Sequence, residues 1–192
     1  MKAIGSNKNQ SCKQEFDFAL VVGGVPELTQ KVEDALFEAG CDDATLSIRY
    51  GLLYMEFSRS ASTLLDALIS AIKDVQKANI GAQVLQVDEC NLVTAAEIAR
   101  RIGRSRQLVH QYVTGKRGPG GFPPPMCHID DVHAPLWPWC AVSFWLVQND
   151  LLRKEVSEHA EILSAINEVL VENQHTDKYK KLLEVVSSQI PA

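Results

Sequence analysis

The 192-residue chain lacks any stretch approaching the ~20 uninterrupted apolar residues that a bilayer crossing requires, so a membrane span is not expected. Residues 1 to 16 carry neither the apolar core nor the small-residue cleavage pattern of a secretory signal, and the expected compartment is the cytoplasm. No C-x-x-C pair occurs. The five cysteines (Cys12, Cys41, Cys90, Cys127 and Cys140) are odd in number and scattered, which reads as reduced thiols rather than a disulfide framework. The glycine-rich run Gly115 to Gly121 lacks the G-x-x-x-x-G-K-[ST] order of a phosphate-cradling loop, because Lys116 comes too early. No nucleophile, base and orienting group stand together, so an enzyme is not expected, and no cofactor is.

Two further absences concern charge. The chain carries 19 Lys and Arg against 24 Asp and Glu, a net charge of −5. That average hides a local reversal. From Ile98 to Ile129 there is no acidic residue, but there are six cations: Arg100, Arg101, Arg104, Arg106, Lys116 and Arg117. The remainder then holds 13 cations against 24 anions, or −11. A basic patch on an acidic body attaches to a polyanion by one face only, which fixes orientation as well as place. Between Arg117 and Arg153 there is no Lys or Arg at all.

What is present divides into four segments. Residues 1–15 read as a disordered leader, rich in Lys, Asn, Gln and Ser and without apolar periodicity. Residues 16–90 read as strand (16–22), helix (26–39), two strands (45–49 and 53–58, joined through Tyr50 to Leu52), a long amphipathic helix (60–78) and a fourth strand (82–87). That order, βαββαβ, suggests a ferredoxin-like sandwich within an α+β chain. The fold serves enzymes, sensors and dimerisation modules alike and does not decide function. Its only ionisable cluster, Cys41-Asp42-Asp43, reads as a polar loop rather than an acid or metal site, since no His accompanies it.

Residues 91–147 carry the functional signal. Thr94-Ala95-Ala96-Glu97 is a capping box, in which the Thr94 hydroxyl accepts from the backbone three residues on and Glu97 reaches back to the cap. The helix it opens runs to Gly103, which permits the positive φ of a tight turn. Ser105 then caps a second helix over residues 106–113 with Val109 and Tyr112 facing inward. Small Ala99, Gly103 and aliphatic Val109 stand at the offsets that two closely crossing helices of a helix-turn-helix unit require. On the outer face this leaves Arg106, Gln107, His110 and Gln111, side chains suited to base edges. Arg100, Arg101, Arg104, Ser105, Lys116 and Arg117 are the phosphate candidates. The alternative is an ordinary basic helical hairpin.

Residues 92 to 146 resemble the winged helix-turn-helix of excisionase and MerR-like DNA-binding proteins, in particular bacterial members of unassigned role. The resemblance is carried by Val93-Thr94-Ala95-Ala96-Glu97-Ile98-Ala99, Ser105-Arg106-Gln107, Gly115 to Pro123, and Leu136-Trp137-Pro138-Trp139 continuing to Val142, Trp145 and Leu146. It implies a wing hairpin from residues 122–128 and 133–137, and a closing helix from Cys140 to Val147 that packs Val142 and Trp145 under the reader. Two departures stand out: the wing has no cationic tip, leaving His128, His133 or backbone amides for phosphate, and Cys140 is a poor helix cap.

Cys127, His128, His133 and Cys140 are also potential zinc ligands, but adjacent strand residues point to opposite faces and neither C-x2-C nor H-x3-H occurs. No metal is expected. Trp137, Trp139 and Trp145 read as core in preference to a stacking platform for single strands. In residues 148–190, Leu152, Val156, His159, Leu163, Ile166 and Leu170 recur at heptad spacing in a helix over 150–174, and a shorter helix follows over 177–187. This seam either packs on its own chain or pairs two copies. Dimerisation has a physical reason, since two readers about 34 Å apart contact one face of DNA. The expectation is a homodimeric, sequence-specific binder of double-stranded DNA acting as a transcriptional regulator. Two alternatives are a ligand sensor working through the N-terminal domain, and an antitoxin-like adaptor whose main partner is another protein.

Overall fold

A computed structural model describes residues 13–87, 91–127 and 134–189. Most of the expected leader therefore lies outside the described residues, as do His128, His133, Cys12 and Cys90. The chain divides into two compact units, Met1–Leu85 and Gln86–Ala192, the second of which includes the C-terminal helices.

The first unit is built on strands β1 (Gln14–Gly23), β2 (Ala44–Arg49), β3 (Leu52–Ala61) and β4 (Gln83–Val87, whose last two residues belong to the second unit) with helices α1 (Gln30–Ala39) and α2 (Leu64–Lys77). The strand begins at Gln14, two residues earlier than expected. The sheet order is β2-β3-β1-β4, with β1 and β2 both antiparallel to β3. This βαββαβ arrangement is ferredoxin-like in general terms. Period-two alternation decides which face is buried: Phe18, Leu20 and Val22 of β1 lie opposite Phe57, Met55 and Leu53 of β3 on one face, and the Phe18 and Phe57 rings stack at 5.3 Å. Helix α2 packs on β3 and on α1, contributing Leu64, Ala67, Leu68, Ala71 and Val75 to this core.

Both helices start later than their periodicity suggests, because Thr29 and Thr63 are the caps. Their hydroxyls accept from the backbone of Val32 and Asp66 at 3.4 and 3.1 Å. The β2–β3 turn is tighter than the three residues expected: only Tyr50 (φ 54°) and Gly51 (φ 78°) lie between the strands, and two positive φ values suit the right-handed strand twist.

The second unit contains β5 (Leu92–Val93), α3 (Ala95–Arg101), α4 (Arg106–Val113), β6 (Trp137–Pro138), α5 (Trp139–Gln148), α6 (Lys154–Gln174) and α7 (Asp177–Gln189). Strands β5 and β6 are antiparallel, and a single antiparallel bridge joins Cys127 to Leu136. The core unites Val93, Ile98, Ala99, Val109, Tyr112, Trp137, Trp139, Val142, Trp145, Leu146 and Ala160. All three Trp are core residues, as read from their neighbours. No helix among the described residues is long and apolar enough to cross a membrane.

Helix α5 begins at Trp139 with Pro138 as its N-cap, one residue before the start expected at Cys140. The poor capping character of Cys140 is therefore immaterial. The first amide of the helix, Trp139 N–H, which has no intrahelical acceptor, donates instead to the Asn91 carbonyl at 2.7 Å.

Helix α6 corrects the heptad reading. Its buried residues are Ser157, Ala160, Leu163, Asn167 and Leu170, and the helix packs on α5 of its own chain. Of the expected seam, Leu163 and Leu170 are buried within this chain, Leu152, Val156 and Ile166 are half-buried, and His159 is exposed. Small side chains allow the close approach to α5, where Ser157 Oγ lies 3.5 Å from Ser143 Oγ; elsewhere within the second unit the Asn167 amide both accepts from Val87 N–H (2.7 Å) and donates to the Val87 carbonyl (3.2 Å).

Candidate nucleic-acid interface

The two central helices form as local chemistry dictates. Thr94 Oγ1 accepts from Glu97 N–H at 3.2 Å and Ser105 Oγ accepts from Leu108 N–H at 3.2 Å, each satisfying an amide that the first helical turn leaves orphaned. Between them Gly103 takes φ 62°. Helix α4 then buries Val109 and Tyr112, while Ile98 and Ala99 of α3 enter the same core. The inward and outward faces of α4 follow from that burial.

Arg106, Gln107 and His110 are exposed on the outer face of α4. Gln111 differs from expectation, being half-buried, with its backbone carbonyl accepting from Arg117 N–H at 3.2 Å. Arg104, Ser105, Lys116 and Arg117 are exposed, although the Ser105 hydroxyl is committed to its cap.

Arg100 and Arg101 require a correction. Counting charge from Ile98 omits Glu97, one residue earlier, and the Glu97 carboxylate engages both arginines: Arg100 Nε donates at 2.8 Å and Arg101 Nε at 2.9 Å. These hydrogen bonds, Arg100's first, hold the Glu97 carboxyl far below the ordinary carboxylate range, at about 2. Glu97 thus turns to the arginines, and the reciprocal half of the expected capping box is not how its carboxylate is used. Arg101 is withdrawn further. Its side chain is only 20 % exposed and its guanidinium lies 4.8 Å over the Trp139 ring. Arg100 is 75 % exposed, although the same carboxylate holds it through its Nε and a terminal nitrogen. Including Glu97, the segment to Ile129 carries a net charge of +5.

After α4 the chain is pinned to the core by polar contacts that periodicity could not indicate. Trp145 Nε1 donates to the Gly120 carbonyl at 2.9 Å, and Trp137 Nε1 to the Pro123 carbonyl at 3.1 Å. The Phe122 ring meets both indoles edge-on, at 5.0 and 6.3 Å. Buried indole N–H groups need acceptors, and a Gly/Pro-rich segment without regular hydrogen bonding has free carbonyls to offer. The tip of the expected wing lies outside the described residues; its base is the Cys127–Leu136 bridge, with Met126 exposed beside it. Cys127 and Cys140 are half-buried free thiols, and no group of three or more His, Cys, Asp or Glu among the described residues is arranged to hold a metal.

Compared with known proteins, the chain matches no family model, no curated protein and no solved structure.

Proposed function

We propose that this chain is a sequence-specific double-stranded DNA-binding protein, a transcriptional regulator of winged helix-turn-helix type that acts as a homodimer. One observation carries the reading: α4 buries Val109 and Tyr112 and so leaves Arg106, Gln107 and His110 standing together on an exposed, capped and acid-free helix face.

The mechanism follows from what each group can do. Arg106 presents a planar fork matched to guanine O6 and N7, Gln107 can pair with adenine N6 and N7, and His110 donates or accepts at a neighbouring edge. Arg104, Lys116, Arg117 and the exposed Arg100 anchor phosphates and set the register of the helix in the major groove. The acidic remainder of the chain repels duplex laid elsewhere. Three or four phosphate contacts per copy predict a salt slope of roughly −3 to −4 per protomer. The wing segment, without a cation from Gly118 to Leu152, adds little to that slope.

The experiment is selection of bound fragments from random duplex at defined salt. Enrichment of a two-fold-related site whose halves are about one helical turn apart supports the reading. Retention of all sequences alike, or of none, contradicts it.

A further inference from the structure

Helix α7 carries Tyr179, Leu182, Leu183 and Val186 at spacings of three, one and three residues, and these side chains remain between 40 % and 56 % exposed. A helix of 13 residues is near the lower limit of what persists in water unaided. An apolar stripe on so short a helix calls for cover.

Helix α6 offers a counterpart. Opposite its buried face lie Ile162, Ala165, Ile166 and Val169, again spaced three, one and three. Ile162 and Ile166 are half-buried, Ala165 is exposed and Val169 is 55 % exposed. Each stripe spans seven residue steps, about 10 Å at the helical rise. The α6 residues that share a cavity with α7 of the same chain are not those of this stripe. Leu183 of α7 borders a cavity with Asn167, Val171, Glu172 and His175, on another flank of α6.

The charges beside the two stripes are of opposite sign. Helix α6 holds five Glu against Lys154, or −4, with Glu161 exposed next to the apolar strip and Glu158 exposed beside it while paired with Lys154 at 2.8 Å. Helix α7 holds three Lys against Asp177 and Glu184, or +1, with Lys180 exposed and Lys181 alongside Tyr179, Leu182 and Val185 in one shallow groove. We propose that α7 of a second copy of this chain lies across the Ile162–Val169 face of α6, with the reciprocal contact made by the two-fold axis. Matched stripes meet, glutamates face lysines, and a contact made twice moves the buried area toward the ~1,600 Å² typical of stable interfaces. The contact gives the homodimer of the proposed function its structural basis and rests on that part of the reading, not on DNA recognition.

Sedimentation equilibrium of the full chain tests it. The wild type is expected to be dimeric at micromolar concentration, and Leu182→Asp with Val186→Asp monomeric. Lys180→Glu with Lys181→Glu should weaken the dimer about tenfold, and adding Glu158→Lys with Glu161→Lys to the same chain should restore most of that loss. A wild type that stays monomeric at ~100 μM, or charge reversals that do not compensate, overturns the proposal. A dimer that passes these tests while selecting no DNA sequence supports this contact and removes the DNA reading alone.

Discussion

Arg101 is held between Glu97 and Trp139: its Nε donates to the carboxylate at 2.9 Å while its guanidinium lies 4.8 Å over the indole. One acidic residue at the edge of the basic segment therefore ties this arginine to the protein's own core and binds its neighbour Arg100. The segment's formal charge exceeds the charge it can offer to phosphate.

Glu97→Gln should release Arg100 from its strongest partner. Affinity for random duplex is expected to rise several-fold and the salt slope to steepen by about 1, read by fluorescence anisotropy over a salt series. Unchanged affinity and slope would mean that Arg100 never reaches the phosphates.

The same carboxylate sets an acid limit. Because its folded-state value is lowered to about 2 from the ordinary 4.5, the stability it contributes is present in full above about pH 4.5 and is lost as pH falls toward 2. Between pH 5 and 8 wild type and Glu97→Gln should show parallel thermal stability profiles, diverging only below pH 4.5. Divergence at neutral pH would contradict the pairing.

Arg59 in β3 points into the helix-covered face of the first unit, and all five of its N–H donors are used. Nε and one terminal nitrogen pair with Asp43 at 2.8 Å, while the others reach Gly40 O, Ser70 Oγ and Asp74 at 2.7, 3.1 and 2.7 Å. Arg59→Met leaves Asp43 and Asp74 without their shared cation and should cost about 3 kcal/mol, measured by urea denaturation. A loss below ~1 kcal/mol would show the cluster to be dispensable.

Cys41 adjoins that cluster. Burial first, and then the Asp74 carboxylate, push its thiol up to about 11. The folded state thus keeps a proton that the unfolded chain releases near pH 9, so stability falls as pH rises from 9 to 11. Cys41→Ala should flatten this alkaline slope relative to wild type in chemical denaturation. Identical slopes would place the thiol in contact with water.

How legible these features are depends on how local their causes are. Thr94, Gly103 and Ser105 act within three residues of themselves, so α3, the turn and α4 follow from spacing, and Val109 and Tyr112 fall inward as a consequence. Glu97 escapes a charge count that begins at Ile98. Arg59 occupies an inward position of an otherwise apolar alternation, and its partners are 11 to 19 residues away along the chain. The buried face of α6 is written in Ser157, Ala160 and Asn167, which a search for large apolar residues passes over, and β5 and β6 are two residues each, too short for any period to register.

The central claim is that α4 reads bases while Lys116 only anchors. Its most direct test is anisotropy of Arg106→Ala and Lys116→Ala on the selected site, on that site with single base changes, and on random duplex, each over a salt series. Arg106→Ala should lose ~1–3 kcal/mol of discrimination at one base position, whereas Lys116→Ala should weaken every duplex alike and reduce the salt slope by about 1. Equal losses by both variants on specific and random DNA would contradict it.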